Sequence, residues 1–575
     1  MKRILLSVAL VLLFAGCDDA PVGAAGPGRD CDGPGCDNLP AAPGTRSYAG
    51  THEPFASEAV YFVLTDRFVD GDPDNNQAGQ GEPDRGTFDR PLLADGVEIA
   101  NIGYLGGDFR GLLDHAGYIA EMGFTAVWIT PVVENPDEAF TGGHPPGDIP
   151  FGDQGKTGYH GYWGVNFFEV DEHLESAGLD FASLVSALRD EHGLGLVLDI
   201  VANHGSPSWT MPEDQPMYGE IYDAEGRLVA DHENLPPAEL DPANPLHAFY
   251  RRQPDLAELG DTNWENPAVL DYFVAAHSRR LADGVAAFRI DTIRHMPHEF
   301  WKAFADRIRA ERPGFFMFGE AFNYDATAIA PHTFPENGGV SVLDFPVKQA
   351  MEEVFANGAP YARLRDALHL DDGVYENPYD LMTFYDNHDM PRMAADENGF
   401  IDAHNWLFTA RGIPVVYYGS EIAFRAGRAE HKGNRDYFGP DNIERAKTHR
   451  IRESLARIAN LRKESVALQR GLQLDMDYTE RTAAFFRVYA HDGTSEVALV
   501  LLNAGDAPRE IGVERMPAAG TWRMAGGEAV DVPATDSLFA LTVPAHGVQV
   551  LFFDGAVTDA ALTARLDELA AAGNR

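Results

Sequence analysis

Apolar positions along the chain fall into two alternating patterns. Short β-branched or aromatic runs read as buried strands: "VYFVLTD" (60–66), "AVWITP" (126–131), "LGLVLDIV" (194–201), "AAFRID" (286–291), "FFMFGEA" (315–321), "SVLDF" (341–345), "LMTFYDN" (381–387) and "PVVYYG" (414–419). Between them lie amphipathic stretches such as "LLDHAGYIAEMG", "FASLVSALRDEHG", "VLDYFVAAHSRRLADG" and "HEFWKAFADRIRAERPG". Several end in Gly, which closes a helix in the left-handed region at no steric cost. Eight strands alternating with helices predict an α/β chain closed as a (β/α)8 barrel, with a doubly wound open sheet as the alternative. After the helix "RIRESLARIANLRKES" the pattern turns to strict alternation in "AAFFRVYA", "EVALVLLNA" and "QVLFF", which predicts a C-terminal antiparallel β-sandwich over 469–555 and a terminal helix over 556–575.

One of the strand runs is interrupted. In "GVAAFRIDTIRH" (284–295) Arg289 and Asp291 break an apolar strand, and residues two apart share one face. A barrel carries its active site at the carboxyl ends of its strands. Asp291 ends the fourth strand and Glu320 the fifth; Asp199 and Asn203–His204 end the third, and "DNHD" (386–389) closes the seventh. Arg289 and Asp291 therefore face one polar cavity. A cation beside a carboxylate favours its charged form, the form that attacks as a nucleophile.

Composition narrows the setting. The chain of 575 residues carries 45 Lys and Arg against 89 Asp and Glu, a net charge of −44, which argues against a nucleic-acid partner. "MKRILLSVALVLLFAGC" reads as a secretory signal over residues 1–16, too short to span a bilayer. Its "LFAGC" ending resembles a bacterial lipoprotein cleavage box with Cys17 as the lipidated residue; an ordinary signal peptide with an incidental Cys is the alternative. The expected location is extracytoplasmic, with a lipid anchor as the sole membrane contact, on the periplasmic or outer face of a bacterial membrane. Cys31 and Cys36 are then left as a local disulfide pair. Residues 17–52 are rich in Gly, Pro, Ala and Asp and read as a tether. The barrel is expected over 53–204 and 260–468, with an excursion over 205–259 after the third strand.

"DIVANH" (199–204), "GVAAFRIDTIRH" (284–295), "FGEAF" (318–322) and "FYDNHD" (384–389) resemble the four signature regions of the α-amylase family of retaining glycoside hydrolases. "VYFVLTDRFVDGDPDNN", "GGDFRG", "GYHGYW" and "GIPVVYYGSE" extend the resemblance over roughly 55–555, most closely to bacterial amylases and cyclodextrin glucanotransferases. It implies Asp291 as nucleophile, Glu320 as general acid/base with its pKa raised by the crowding of Asp291 and Asp389, and Asp389 as the third, transition-state carboxylate. His204, Arg289 and His388 match residues that grip the sugar. Tyr162 matches a platform beneath it, flanked by His160 and Trp163, and Phe322 and Arg294 match the leaving-group side.

The resemblance also implies Ca2+ at one or two sites. Asn203 and the backbone carbonyl of His295 match ligands of the first site. Asp255 and Asp261 compete for its carboxylate, and Asp261 is preferred because "D-x-N-x-x-N-P" runs into the following helix. Asp70, Asp72, Asn75, Asn76, Gly106 and Asp108 match the second, a set of hard oxygen donors suited to calcium. The expected activity is endo-hydrolysis of α-1,4-glucosidic bonds in an α-glucan by a monomer. A cyclodextrin-forming transglycosylase, a cyclodextrin or maltodextrin hydrolase, and a non-catalytic glucan-binding lipoprotein are the alternatives. Glucanotransferases place Phe or Tyr where Ala257 stands, and typical ones add a starch-binding domain for which this chain leaves no room; both features favour hydrolysis.

Overall fold

A computed structural model describes residues 46–146 and 152–572. The expectations for Cys17, Cys31, Cys36 and the leader lie outside the described residues. Each of the eight runs forms a strand where expected: β1 Val60–Val63, β2 Ala126–Ile129, β3 Gly195–Ile200, β4 Ala287–Ile290, β5 Phe316–Gly319, β6 Ser341–Val342, β7 Met382–Thr383 and β8 Ile413–Tyr417. They pair in parallel in the order β6-β5-β4-β3-β2-β1-β8-β7. A parallel bridge between Leu343 and Met382 joins the two ends of that order and closes the ring. The sheet is a barrel.

Register sets what fills it. Phe62 lies beside Trp128, and Arg289 lies between Asp199 and Phe318 on neighbouring strands. The Phe62 and Trp128 rings stack at 3.9 Å, and Phe318 meets Trp128 edge-on at 5.5 Å. These rings pack the interior beneath Arg289, so the cavity above has a solid floor.

The helices follow their sequence signals. Phe181–His192 is capped by the Asp180 side chain and ends on Gly193 at φ 66°. Pro267–Ala282 begins with Pro at its first position and Asn266 as its cap, and His298–Glu311 follows β4. "LLDHAGYIAEMG" lies across two helices, Phe109–Asp114 and Ala116–Glu121, which meet at a non-helical His115. No helix among the described residues is long and apolar enough to cross a membrane.

The excursion is not made by the β3–β4 connection alone. Glu220–Tyr222 and Leu228–Asp231 join Asn166–Val170 and Val133–Glu134, from the β2–β3 connection, in one four-stranded sheet. His204–Pro207 pairs with Leu259–Asp261 at its base. At the C-terminal end, six antiparallel strands between Leu472 and Phe553 lie over the hairpin-like pair Arg509–Val513 and Phe539–Val543. The helix Ala560–Ala572 inserts Leu562 and Leu566 into their core.

The fold includes residues that fall inside the expected tether of 17–52. Tyr48 exchanges two backbone hydrogen bonds with Ala490, its ring is buried in the C-terminal core, and its hydroxyl donates to Asp567 at 2.7 Å. A single aromatic in a Gly- and Pro-rich stretch is enough to anchor it, and composition averaged over that stretch conceals it.

Candidate active site

At the carboxyl end of the barrel, the β-ladder continues one residue beyond two of the strands. Asp291 donates its N–H to the Ile200 carbonyl and Glu320 donates to the Ile290 carbonyl, both at 2.9 Å. Both carboxylates are thus fixed by backbone rather than by loops. Arg289, fully buried, sits between them: Nη1 lies 2.8 Å from Asp291 Oδ1 and Nη2 2.9 Å from Glu320 Oε2. The same Nη1 reaches both oxygens of Asp199, at 2.8 and 2.9 Å. Asp199 also accepts from the Tyr162 hydroxyl at 2.8 Å and from Trp128 Nε1 at 3.2 Å. Burial pushes the Asp199 carboxyl up to about 7, yet every contact it makes is to a donor, and only the anion satisfies them all. Removing Arg289 would leave three acidic groups facing one another out of water, and losing one partner of a buried charge pair costs about 3–5 kcal/mol.

Glu320 behaves as an acid. Burial, rather than crowding, is the first cause of its rise from the ordinary 4.5 to about 8; Asp389, Asp291 and Asp199 add to the rise and Arg289 opposes it. The expectation that neighbouring carboxylates lead is corrected by the depth of the site. Thr292, directly after Asp291, is a β-branched residue at φ 49°, a backbone conformation that costs about 1–3 kcal/mol and marks constrained sites.

His388 and Asp389 arrive from the segment after β7. His388 stacks on Tyr162 with centroids 5.3 Å apart and planes 15° from parallel. Burial, then Arg435 and Arg289, hold the imidazole well below its usual pKa, so its 3.4 Å approach to Asp389 is between a neutral ring and a carboxylate. Asp389 takes its true cation from Arg435 at 2.6 Å. His160, Tyr162, Trp163, His204 and Phe322 line the same cavity of about 400 Å³ as the three carboxylates. Burial lowers the pKa of both His160 and His204. Trp163 also belongs to the apolar cluster of Phe140, Met211 and Tyr218 inside the wall. Arg294 is the exception to the expected set: it is exposed, stands outside the cavity lining, and donates to the Phe322 carbonyl. It supports the half-exposed Phe322 rather than facing the cavity.

Residues 62–219 and 242–458 match the family of the alpha-amylase catalytic domain. The chain belongs to the alpha-amylase family. Relatives include cyclomaltodextrin glucanotransferases of Klebsiella oxytoca, 28% identical over 80% of this chain and 72% of that protein, and of Niallia circulans, 30% identical over 75% and 58%. The chain therefore spans little more than half of the second relative. Among solved structures, a cyclomaltodextrin glucanotransferase with a three-domain ABC distribution superposes with a TM-score of 0.70 at 28% identity, over 87% of this chain and 99% of that one. A gamma-type glucanotransferase from alkalophilic Bacillus clarkii gives the same TM-score at 27% identity, and an Anoxybacillus alpha-amylase, 24% identical with a TM-score of 0.66, shares the fold.

Two oxygen-rich clusters of this alpha-amylase family member have the donor chemistry of a hard cation. In the first, Asn203 Oδ1 and Asp261 Oδ1 are buried without a hydrogen-bond partner among the described residues. Asp261 Oδ2 accepts the Asp255 N–H at 2.7 Å. The Asp255 carboxylate is turned elsewhere, to the His295 ring at 3.1 Å and Arg251 at 3.3 Å. In the second, Asp70 Oδ1, Asn75 Oδ1 and Asn76 Oδ1 are likewise buried and unpartnered. Gly106 is required there twice over, by its φ of 87° and because a Cβ would lie 2.4 Å from Asn76 Oδ1. Asp108 spends both oxygens on N–H donors, among them Gly111 at 2.6 Å and Asp72 at 2.8 Å, and Asp72 caps the turn Pro73–Asn75.

Sequence reasoning missed Arg435, Lys156 and Glu430, which share the cavity lining. They sit in connections with no periodicity, Glu430 opening a single 3-10 turn, and the Lys156–Glu430 pair spans 274 positions. Asp199 was visible at a strand end, but its role as a cross-strand partner of Arg289 needed the register.

Proposed function

We propose that this protein cleaves α-1,4-glucosidic bonds of starch-type glucans with retention of configuration. Asp291 attacks the anomeric carbon, and the bond electrons leave with the glycosidic oxygen, which takes the proton of Glu320. The Glu320 carboxylate then removes a proton from the acceptor that releases the sugar from Asp291. Asp389, oriented by Arg435, accepts sugar hydroxyls, while Tyr162 offers a ring beneath the sugar and His388 and His204 offer neutral imidazoles. The observation that carries this reading is Arg289, whose single guanidinium holds the attacking carboxylate at 2.8 Å and the proton-donating one at 2.9 Å beside one cavity.

Water as the acceptor is supported by Ala257, which lines the cavity with no ring to direct a second sugar. The transferase reading has its own support in the three-domain glucanotransferase aligned along 99% of its length, because chain length then no longer separates the two activities. We further propose calcium at the Asn203–Asp261 and Asp70–Asn75–Asn76 clusters, and a lipid anchor at Cys17. A timed product profile on soluble starch and maltoheptaose tests the acceptor: short linear products support hydrolysis, and early cyclic products overturn it. Proton NMR should show the α-anomer first, and a β-anomer would refute retention. Asp291→Asn should abolish turnover while glucan binding survives.

A further inference from the structure

We infer that a strap of paired charges closes the glycone end of this cleft and limits how far a glucan extends on its non-reducing side; the inference rests on the retaining glucan chemistry proposed above. Glu320 ends β5 and protonates the departing oxygen, so the leaving group lies toward β5, where Phe322 stands half-exposed on the rim. In a ring of eight strands β5 lies opposite β1. The rest of the glucan therefore runs toward the side framed by β8, β1 and β2.

That side of the cavity is lined by charged side chains paired end to end. Lys156, from the β2–β3 connection, meets Glu430, from the loop after β8, at 3.1 Å. Glu430 also binds Arg435 at 2.9 Å, and Arg435 continues to Asp389 at 2.6 Å. Asp153 holds Lys156 from its other side at 3.1 Å. The result is an unbroken series of opposite charges from the wall to a candidate catalytic carboxylate. The side chains of Lys156 and Arg435 are only 9% and 6% exposed, and Glu430 between them, at 27%, opens onto the cavity. This differs from a surface ion pair, which salt and side-chain entropy weaken; removing one member of a buried pair leaves an uncompensated charge. The Glu430 carboxyl is held well below the usual range because Arg435 and Lys156 outweigh its burial. The cavity of about 400 Å³ lies near the small end of ligand pockets, which run roughly 300–1,000 Å³.

Endo attack needs a groove open at both ends. A strapped groove instead admits the end of a chain. The strap thus sets where along a glucan the cut falls, and Lys156 is its removable member: it touches neither Asp291 nor Glu320, and Lys156→Ala opens the crossing while Glu430 keeps Arg435 as its partner at 2.9 Å.

The test is the distribution of cuts along maltoheptaose labelled at its reducing end. The full-length protein should release short glycone fragments from the non-reducing end, and Lys156→Ala should raise the share of longer glycone fragments about tenfold. Lys156→Arg, which keeps the cation, should retain the parent pattern. Because each enzyme is compared with itself from bond to bond, a loss of total activity does not obscure the result. A parent that already releases long glycone fragments, or a Lys156→Ala pattern equal to the parent's, overturns the strap while leaving the glucan chemistry standing. Failure of the folded parent to turn over any α-glucan brings down the underlying reading and the strap with it.

Discussion

Replacing Glu320 with Gln should make the protein more stable at alkaline pH, by an amount that depends on pH in a defined way. The carboxyl has a pKa of about 8 in the folded chain against an ordinary 4.5, with burial as the first cause. The folded state thus holds this proton more tightly than the unfolded state. The group's contribution to stability is complete below about pH 4.5, falls as pH rises, and is lost above about pH 8. At about 1.36 kcal/mol for each tenfold change in affinity, the full span is on the order of 5 kcal/mol. Gln fills the same space and cannot ionise. The ion pair with Arg289 that Gln cannot make forms only as Glu320 ionises, and its effect is already contained in the pKa of about 8, so the slope is the readout. Thermal midpoints of parent and Glu320→Gln, measured by calorimetry across this range, should diverge in favour of the variant between about pH 5 and 8 and run parallel above that. The kcat/KM of the parent should fall over the same alkaline limb, as the acid loses its proton. Parallel stability profiles through the whole range would show that Glu320 ionises as freely in the fold as in water, and the acid assignment would lose its physical basis.

Arg289→Met should cost about 3–5 kcal/mol of stability by denaturant titration and abolish activity, since it strands buried acidic groups; a loss under 1 kcal/mol would mean water reaches them. Chelation should lower the thermal midpoint of the parent, because a ligand bound only by the folded state stabilises it. Asp261→Ala should blunt that response more than Asp255→Ala, and the reverse order would move the ligand assignment to Asp255. If Cys17 carries lipid, the full-length protein should partition into detergent and Cys17→Ala should not; equal behaviour of the two would remove the anchor.

The barrel was legible in the sequence because each strand is a short β-branched or aromatic run that ends in residues a core would not choose. Asp291, Glu320, His388 and Asp389 stood out for that reason: polar groups at strand ends contradict the pattern that places them. The wall beside the cleft was not legible to the same degree. Its sheet joins Val133–Glu134 and Asn166–Val170 to Glu220–Tyr222 and Leu228–Asp231, strands of two to five residues drawn from two connections, too short to carry a periodic signal. Lys156 and Glu430 were invisible for a different cause. Each reads as an ordinary surface charge in a polar loop, and only folding brings them together beside the cavity. Arg294, expected with Phe322 on the leaving-group side, stands beside it on the exposed rim and donates to its backbone carbonyl.

The hydrogen bond from Tyr48 to Asp567 joins two residues 519 positions apart, so the segment around Tyr48 and the terminal helix secure each other. Fraying that starts at one end must also release the other. Trimming that spares Ser47 should therefore be harmless, whereas removing Tyr48 should loosen the terminal helix and open it to proteolysis.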